Sequence, residues 1–134
     1  MFAPYRTQAN VYSNVHMETS VEAADPHRLV SLLLDGALSA IAAAQGAMAS
    51  RDIAAKSRAI GRAVGIVEDG LRGSLDLNAG GEVAATLHDL YSCVLVRLTE
   101  AHAKNDIALL RECTALLMPL RDAWDSIKPQ AMAA

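Results

Sequence analysis

Glutamate and histidine would build a di-metal centre in a helical protein, because such centres place a Glu-x-x-His pair on one face of a helix. The histidines, at positions 16, 27, 88 and 102, are dispersed along the sequence. No glutamate is followed by histidine three residues later; the glutamates are Glu18, Glu22, Glu68, Glu82, Glu100 and Glu112. We therefore expect no metal centre and no cofactor.

Motifs for phosphate binding and nucleophilic catalysis are also absent from the sequence. No G-x-x-x-x-G-K-[ST], G-x-G-x-x-G or G-x-S-x-G occurs, and the nearest match, residues 70–74, lies inside a helical period with no strand before it. Cys93 and Cys113 do not form a C-x-x-C pair, so we expect two free thiols in a reducing compartment. The first residues lack a basic segment leading into an apolar one, which predicts a cytoplasmic protein.

Three arginines, Arg51, Arg58 and Arg62, recur at spacings of seven and four and would share one side of a helix. They could form a basic patch for an acidic partner, although a solvated helix face is the simpler interpretation. The formal net charge is -3, and no aromatic residue is interleaved with these arginines. We expect no binding to nucleic acid.

The composition indicates the elements that position these residues. Of 134 residues, 26 are alanine and 17 are leucine, which favour helices, while only 4% are aromatic. The longest uncharged helical stretch, Gly36 to Ser50, is 15 residues long and too weakly apolar to span a bilayer, so we expect no stable membrane insertion. The composition predicts an all-α, single-domain protein.

Helix boundaries follow from capping residues and apolar periodicity. Asp25, Asp52 and Asp106 are favoured caps, and Pro26 is tolerated at a first helical position. We predict an extended, flexible N-terminal arm (1–24), a four-helix bundle (25–128) and a C-terminal tail (129–134), with helices at about 26–50, 53–75, 82–104 and 107–128. Short connections make this an antiparallel up-down bundle.

Apolar stripes at helical spacing predict the core. We expect Ile53 to begin the stripe of the second helix and Val83 to begin that of the third. Pro119 falls inside the fourth stripe, so we predict a kink between Ala115 and Pro119 with the helix continuing beyond it.

The first helix carries apolar surface beyond its core stripe. A second row lies beside that stripe and would form a shallow groove; it comprises Leu29, Leu32, Gly36, Ala40, Ala43 and Ala47. On the third helix, Tyr91 and Leu95 lie to one side of the core row. Exposed apolar surface of this kind suits an amphipathic helix of a partner, or the protein's own arm.

Several elements in order resemble the FliS family of flagellin-specific export chaperones. They include Asp25-Pro26-His27, Leu34-Asp35-Gly36-Ala37, Gly80-Gly81-Glu82 and Leu90-Tyr91, together with Tyr12, Val15 and Ala123-Trp124. The resemblance covers nearly the whole chain. Two positions depart from it, because Leu34 stands where the family often has an aromatic residue and Pro119 is unusual in the last helix.

The resemblance implies a helical bundle that is not an enzyme. It would bind the disordered C-terminal region of flagellin, prevent premature polymerisation and assist delivery to the flagellar type III export gate. The segment around Tyr12 would cover a groove in the unbound chaperone and contact the export gate. The candidate partner-binding residues are Tyr12, Val15, Leu29, Leu32, Gly36, Ala40, Tyr91 and Leu95.

An alternative hypothesis is a regulatory adapter that binds another flagellar protein, such as an anti-sigma factor or an export-gate component. It would use the arm or the arginine face. The sequence leaves open whether the protein is a monomer or a homodimer formed through its arm.

Overall fold

A computed structural model describes residues 25–127, and these are all-helical with no strand. The helices are α1 (Pro26–Ala49), α2 (Ile53–Gly65), α3 (Gly81–Lys104) and α4 (Ile107–Asp125). A π-helical segment (Ile66–Leu71) and a 3₁₀ turn (Arg72–Ser74) extend α2. The predicted arm at 1–24, with Tyr12 and Val15, and the tail at 129–134 lie outside the described residues.

Three aspartates cap helices as predicted. The carboxylate oxygens of Asp25, Asp52 and Asp106 accept hydrogen bonds from free N–H groups of the first turn. The donors are the backbone nitrogens of His27 at 3.0 Å, Ala55 at 3.0 Å and Ala108 at 2.9 Å. These local bonds explain why α1, α2 and α4 begin where the sequence indicates.

The four helices form an antiparallel up-down bundle. Helix α1 packs against α2 and α4, and α3 packs against the same two helices. One end of the bundle therefore gathers the starts of α1 and α3 with the last turns of α2 and α4. We call it the terminal end, because residues 1–24 and 128–134 attach there; the opposite turn end holds the connections at 50–52 and 105–106.

The core runs along the bundle axis and is built mainly from alanine, leucine and isoleucine. Leu34, Ile41, Leu98, Leu110 and Leu117 are fully buried. Two residues expected in the apolar stripes are instead exposed, Ile53 at 73% and Val83 at 70%. Ile53 is the first residue of α2, and Ala84 and Tyr91, not Val83, bring α3 into the core, so these two expectations were wrong.

The second predicted helix is not a uniform α-helix. It changes to π geometry at Ile66, and this segment contains the weak helix former Gly70. A π turn closes its hydrogen bond over one residue more than an α turn. The side chains after it therefore point in different directions around the helix axis than they would in a continuous α-helix. Gly70 and Leu71, at the end of this segment, are buried at the terminal end.

Helix α4 continues through Pro119 to Asp125, which confirms that the helix does not stop at this residue. Pro119 is exposed, so its ring is accommodated on the solvent side. The kink itself stays a prediction.

Helix α1 is long and apolar enough to cross a membrane by length and composition alone. The core helix of a bundle can meet the same criterion, and the apolar residues of α1 pack here against α2 and α4. The criterion is therefore weak evidence for a membrane span.

Candidate functional site

An open cavity of about 580 Å³ lies at the terminal end of the bundle. Helices α1, α3 and α4 contribute to it, together with the π and 3₁₀ segments that extend α2 and the loop before α3. Its apolar lining consists mainly of Val30, Leu34, Leu71, Leu75, Val83, Leu87, Tyr91, Leu120 and Trp124. We call this cavity the terminal groove.

The terminal groove has little charge of its own. Asp76 is its one charged lining residue within residues 25–127. Its carboxylate accepts hydrogen bonds from the backbone nitrogens of Asn78 at 3.1 Å and Ala79 at 3.0 Å, which order the loop leading to α3. The groove therefore offers a ligand an apolar surface, not a site for acid–base chemistry.

One wall of the groove is fixed by a reciprocal contact between Trp124 and His27. Trp124 Nε1 donates to the carbonyl oxygen of His27 at 3.0 Å, and His27 Nε2 lies 2.9 Å from the carbonyl oxygen of Trp124. A carbonyl can only accept, so Nε2 carries the hydrogen. The rings stack with centroids 5.1 Å apart. These contacts join the last turn of α4 to the first turn of α1.

A polar cluster beside this wall joins the same two helices. Arg121 Nε donates to Asp35 at 2.8 Å and lies 3.3 Å from an Asp125 carboxylate oxygen. Ser31 Oγ donates to the other oxygen of Asp125 at 3.2 Å. The charge of Asp35 raises the pKa of Arg121, so its guanidinium stays protonated. These contacts orient α4 where Leu120 and Trp124 line the groove.

Tyr91 and Val83 occupy opposite positions in the terminal groove. Tyr91 is 3% exposed, and its burial raises the pKa of the phenol to about 12, so the hydroxyl is neutral at physiological pH. Val83 is 70% exposed and lies at the mouth, in the first turn of α3. The groove therefore extends from a buried aromatic floor to an apolar rim that solvent reaches.

The structure distributes the predicted partner-binding residues over two places. Tyr91 lines the terminal groove. Gly36 lies towards the π segment, since a Cβ there would be 3.3 Å from Ile66 Cδ1, and Ala40 is 2% exposed. Leu29, Leu32 and Leu95 are partly buried and pack against the core.

The predicted row on α1 is therefore not part of the terminal groove, and α2 with its π extension covers much of it. The role of the six described candidates in binding a partner stays a prediction. Tyr12 and Val15, the other two, lie outside the described residues.

Sequence reasoning missed most of the residues that line the terminal groove. Val30, Leu34, Leu120 and Trp124 have the same helical spacing as the core residues, so the spacing alone does not show that they line an open groove. The signal that could have identified them is their position, because in an up-down bundle the start of α1 and the end of α4 meet at one end. Large apolar side chains there have no further layer to cover them.

The arginine face is smaller than the spacing suggests. Arg58 and Arg62 lie on α2 and are exposed, but Arg51 precedes the helix in a left-handed backbone conformation with φ of 59°. Among the residues that the structure describes, none forms an ion pair with these three arginines. Within residues 25–127 they therefore present positive charge that no ion pair neutralises.

Comparison with known proteins identifies the family. Residues 8–131 match the family model described as Flagellar protein FliS. The chain is 45% identical over 116 residues to the flagellar secretion chaperone FliSB of Pseudomonas aeruginosa, covering 87% of this chain and 91% of that protein. It is 38% identical over 120 residues to the flagellar secretion chaperone FliS of Salmonella typhimurium, covering 90% and 89%. Together with the helical fold, these matches show that the chain belongs to the FliS family of flagellar proteins.

Proposed function

We propose that this protein is a cytoplasmic flagellar secretion chaperone whose terminal groove binds apolar side chains from the disordered C-terminal region of flagellin. The observation that carries the proposal is an open, largely apolar cavity of about 580 Å³ with an exposed valine at its mouth. Soluble proteins seldom leave such surface uncovered unless a ligand binds it. The names of the relatives support the chaperone role.

Groove binding explains how a bundle can act on a disordered client. A disordered segment places apolar residues at helical spacing into a groove and becomes ordered as it binds. The ordering entropy offsets part of the contact energy, so the complex can cover a large surface and still be released. While covered, the client segment is unavailable for polymerisation. This function is binding and includes no catalytic step.

The position of the groove relates client binding to delivery. Asp25, which follows residues 1–24 in the sequence, caps α1 at the terminal end, where the groove opens. We propose that this arm, with Tyr12 and Val15, covers the groove in the absence of flagellin. When flagellin displaces it, the arm becomes available to a component of the export gate. An arm that reaches the groove of a second copy would give the homodimer instead of the monomer.

The identity of the client is tested by calorimetric titration of the full chain with two segments of the same flagellin. One is the disordered C-terminal segment, and the other is the N-terminal segment of equal length. The proposal predicts saturable binding of the C-terminal segment and much weaker binding of the other. Equal affinity for both, or no binding by folded protein, would contradict it.

The adapter hypothesis is supported by one observation, the exposed Arg58 and Arg62 without ion pairs among residues 25–127. An acidic helix, such as part of an anti-sigma factor, would complement that face. The double substitution Arg58→Gln/Arg62→Gln separates the hypotheses. Loss of binding to an anti-sigma factor with flagellin binding unchanged supports the adapter role as a second function, and unchanged binding to both excludes this face.

A further inference from the structure

A second cavity, of about 350 Å³, lies at the turn end of the bundle. It is formed where the connection between α1 and α2 meets the connection between α3 and α4. Its lining combines aliphatic and cationic residues, among them Met48, Arg51, Ile53, Lys56 and Ile107. The terminal groove, by contrast, has no cationic lining residue in the described chain.

Lys56 is a buried cation whose described partners carry no charge. Its side chain is 8% exposed. Nζ donates to Asn105 Oδ1 at 2.7 Å and to the carbonyl oxygen of His102 at 3.3 Å. An ammonium group has three hydrogens, so these two bonds leave one donor. Within residues 25–127 no carboxylate forms an ion pair with Lys56.

Asp52 also lines the cavity; its carboxylate keeps its negative charge but caps α2 and forms no ion pair with Lys56, so the lining holds two positive charges and one negative charge. Its Oδ1 accepts from the backbone nitrogen of Ala55 at 3.0 Å. A buried charge without a counter-charge is costly, and a negative group that enters such a site removes much of that cost. Arg51, which is also free of ion pairs with described residues, adds positive potential at the rim. The electrostatics of the cavity therefore favour an anion.

Ile53 gives the cavity an apolar margin. It is the most exposed large hydrophobic residue in the described chain, at 73%, and it lies in the first turn of α2 together with Lys56. A free inorganic anion would gain nothing from this side chain. A carboxylate attached to an aliphatic neighbour would use both features.

We propose that the turn-end cavity binds an acidic side chain of a partner protein, with an adjacent aliphatic residue of the same partner packed on Ile53. The carboxylate accepts the remaining hydrogen of Lys56 Nζ. Because this cavity and the terminal groove lie at opposite ends of the bundle, both can be occupied at once. The proposal does not depend on the identity of the client.

The test uses the full chain, labelled with ¹⁵N, and two capped peptides, acetyl-Leu-Glu-Leu-amide and acetyl-Leu-Gln-Leu-amide. The glutamate peptide is expected to give saturable amide shifts at Ile53, Lys56 and Asn105, with affinity about tenfold above that of the glutamine peptide. Equal shifts with both peptides, or no shifts at the turn end, overturn the proposal. Sodium acetate that binds as tightly as the glutamate peptide also overturns it, because the site is then a simple anion site.

Variants assign the two contacts separately. Lys56→Met removes the charge and is expected to abolish the preference for glutamate. Ile53→Ser changes an exposed residue, so the fold is retained. This variant should bind the glutamate peptide several-fold more weakly than the parent does. Arg111→Gln removes an exposed cation of α4 that does not line the cavity, so this variant is the control and should bind as the parent does. If Lys56→Met does not fold, undiminished binding to Ile53→Ser still overturns the proposal.

Discussion

Trp124 and His27 are joined by two hydrogen bonds in opposite directions, although 97 residues separate them in sequence. Each ring nitrogen bonds to the backbone carbonyl of the other residue, and the rings are within 12° of parallel. The pair holds α1 and α4 together at the terminal end, beside the groove. It fixes one wall of the groove, so a ligand that enters the groove would meet a preformed surface.

Removing the contacts between Trp124 and His27 is expected to destabilise the bundle. Trp124→Phe retains an aromatic ring but loses the N–H donor, which should cost about 1 kcal/mol. His27→Ala loses a hydrogen bond and the stacking, which should cost about 1–3 kcal/mol. Urea unfolding measures both free energies. His102 is an exposed histidine on α3, so His102→Ala is the control and should stay within about 0.5 kcal/mol of the parent. If all three variants lost the same free energy of unfolding, the contacts between Trp124 and His27 would not have this role.

Asn105 has two structural roles that substitution can separate. It has φ of 53°, and its side-chain oxygen accepts from Lys56. Asn105→Gly loses only the hydrogen bond, whereas Asn105→Ala also places a Cβ in the left-handed region. The alanine variant should be about 1 kcal/mol less stable than the glycine variant in urea unfolding. The opposite order would show that the left-handed backbone is not retained.

Pro119 is expected to reduce the stability of α4. It lacks the N–H that would bond to Ala115, and its exposed position means that little packing depends on it. Pro119→Ala should therefore raise the free energy of unfolding, by about 1–3 kcal/mol. Thermal unfolding checks this, with Met118→Ala as the neighbouring exposed control. A loss of stability would indicate that the bundle requires a bend at this position.

Alkaline pH should destabilise the protein through two buried groups. Burial raises the pKa of Tyr91 to about 12 and that of Cys113 to about 11. Both folded values exceed the unfolded ones, so the folded state holds these protons more tightly. The resulting stability is fully present below pH 9 and is lost as pH rises from 9 to 12.

Tyr91→Phe tests the tyrosine contribution, because phenylalanine has no proton to lose. Its stability should approach or exceed that of the parent between pH 10 and 12, whereas at pH 7 the variant should be slightly less stable. Urea unfolding at a series of pH values measures the difference. Parallel curves for the two proteins would contradict the assignment to Tyr91.

The helices were predictable because their starts depend on local chemistry. Asp25, Asp52 and Asp106 cap helices through bonds that span only two or three residues, so the sequence contains the whole signal. The side of each helix that faces the core was less predictable. The π segment after Gly65 departs from 100° per residue, and Val83 followed the apparent period of α3 although the helix faces the core with Ala84 and Tyr91.

The groove was harder to predict because it depends on which surfaces the other helices cover. Helical spacing places the row on α1 outside the core stripe of that helix. In the assembled bundle, however, Ala40 is buried and Gly36 lies against Ile66. Conversely, Leu120 and Trp124 have core spacing but line the open groove at the terminal end. Coverage of this kind is a property of the assembled bundle, and no single helix carries the information.

Two valines on α3 provide the sharpest measurement of groove binding. Val83 is 70% exposed and lines the terminal groove, and Val96 is 59% exposed and does not. Val83→Asp places a charge in the mouth without harming the fold, since an acidic residue is favourable in the first turn of a helix. Val96→Asp is the matched control. Calorimetric titration of both with the C-terminal segment of flagellin should show at least about tenfold weaker binding for Val83→Asp and parental affinity for Val96→Asp; equal affinities for the two variants would contradict binding in the terminal groove.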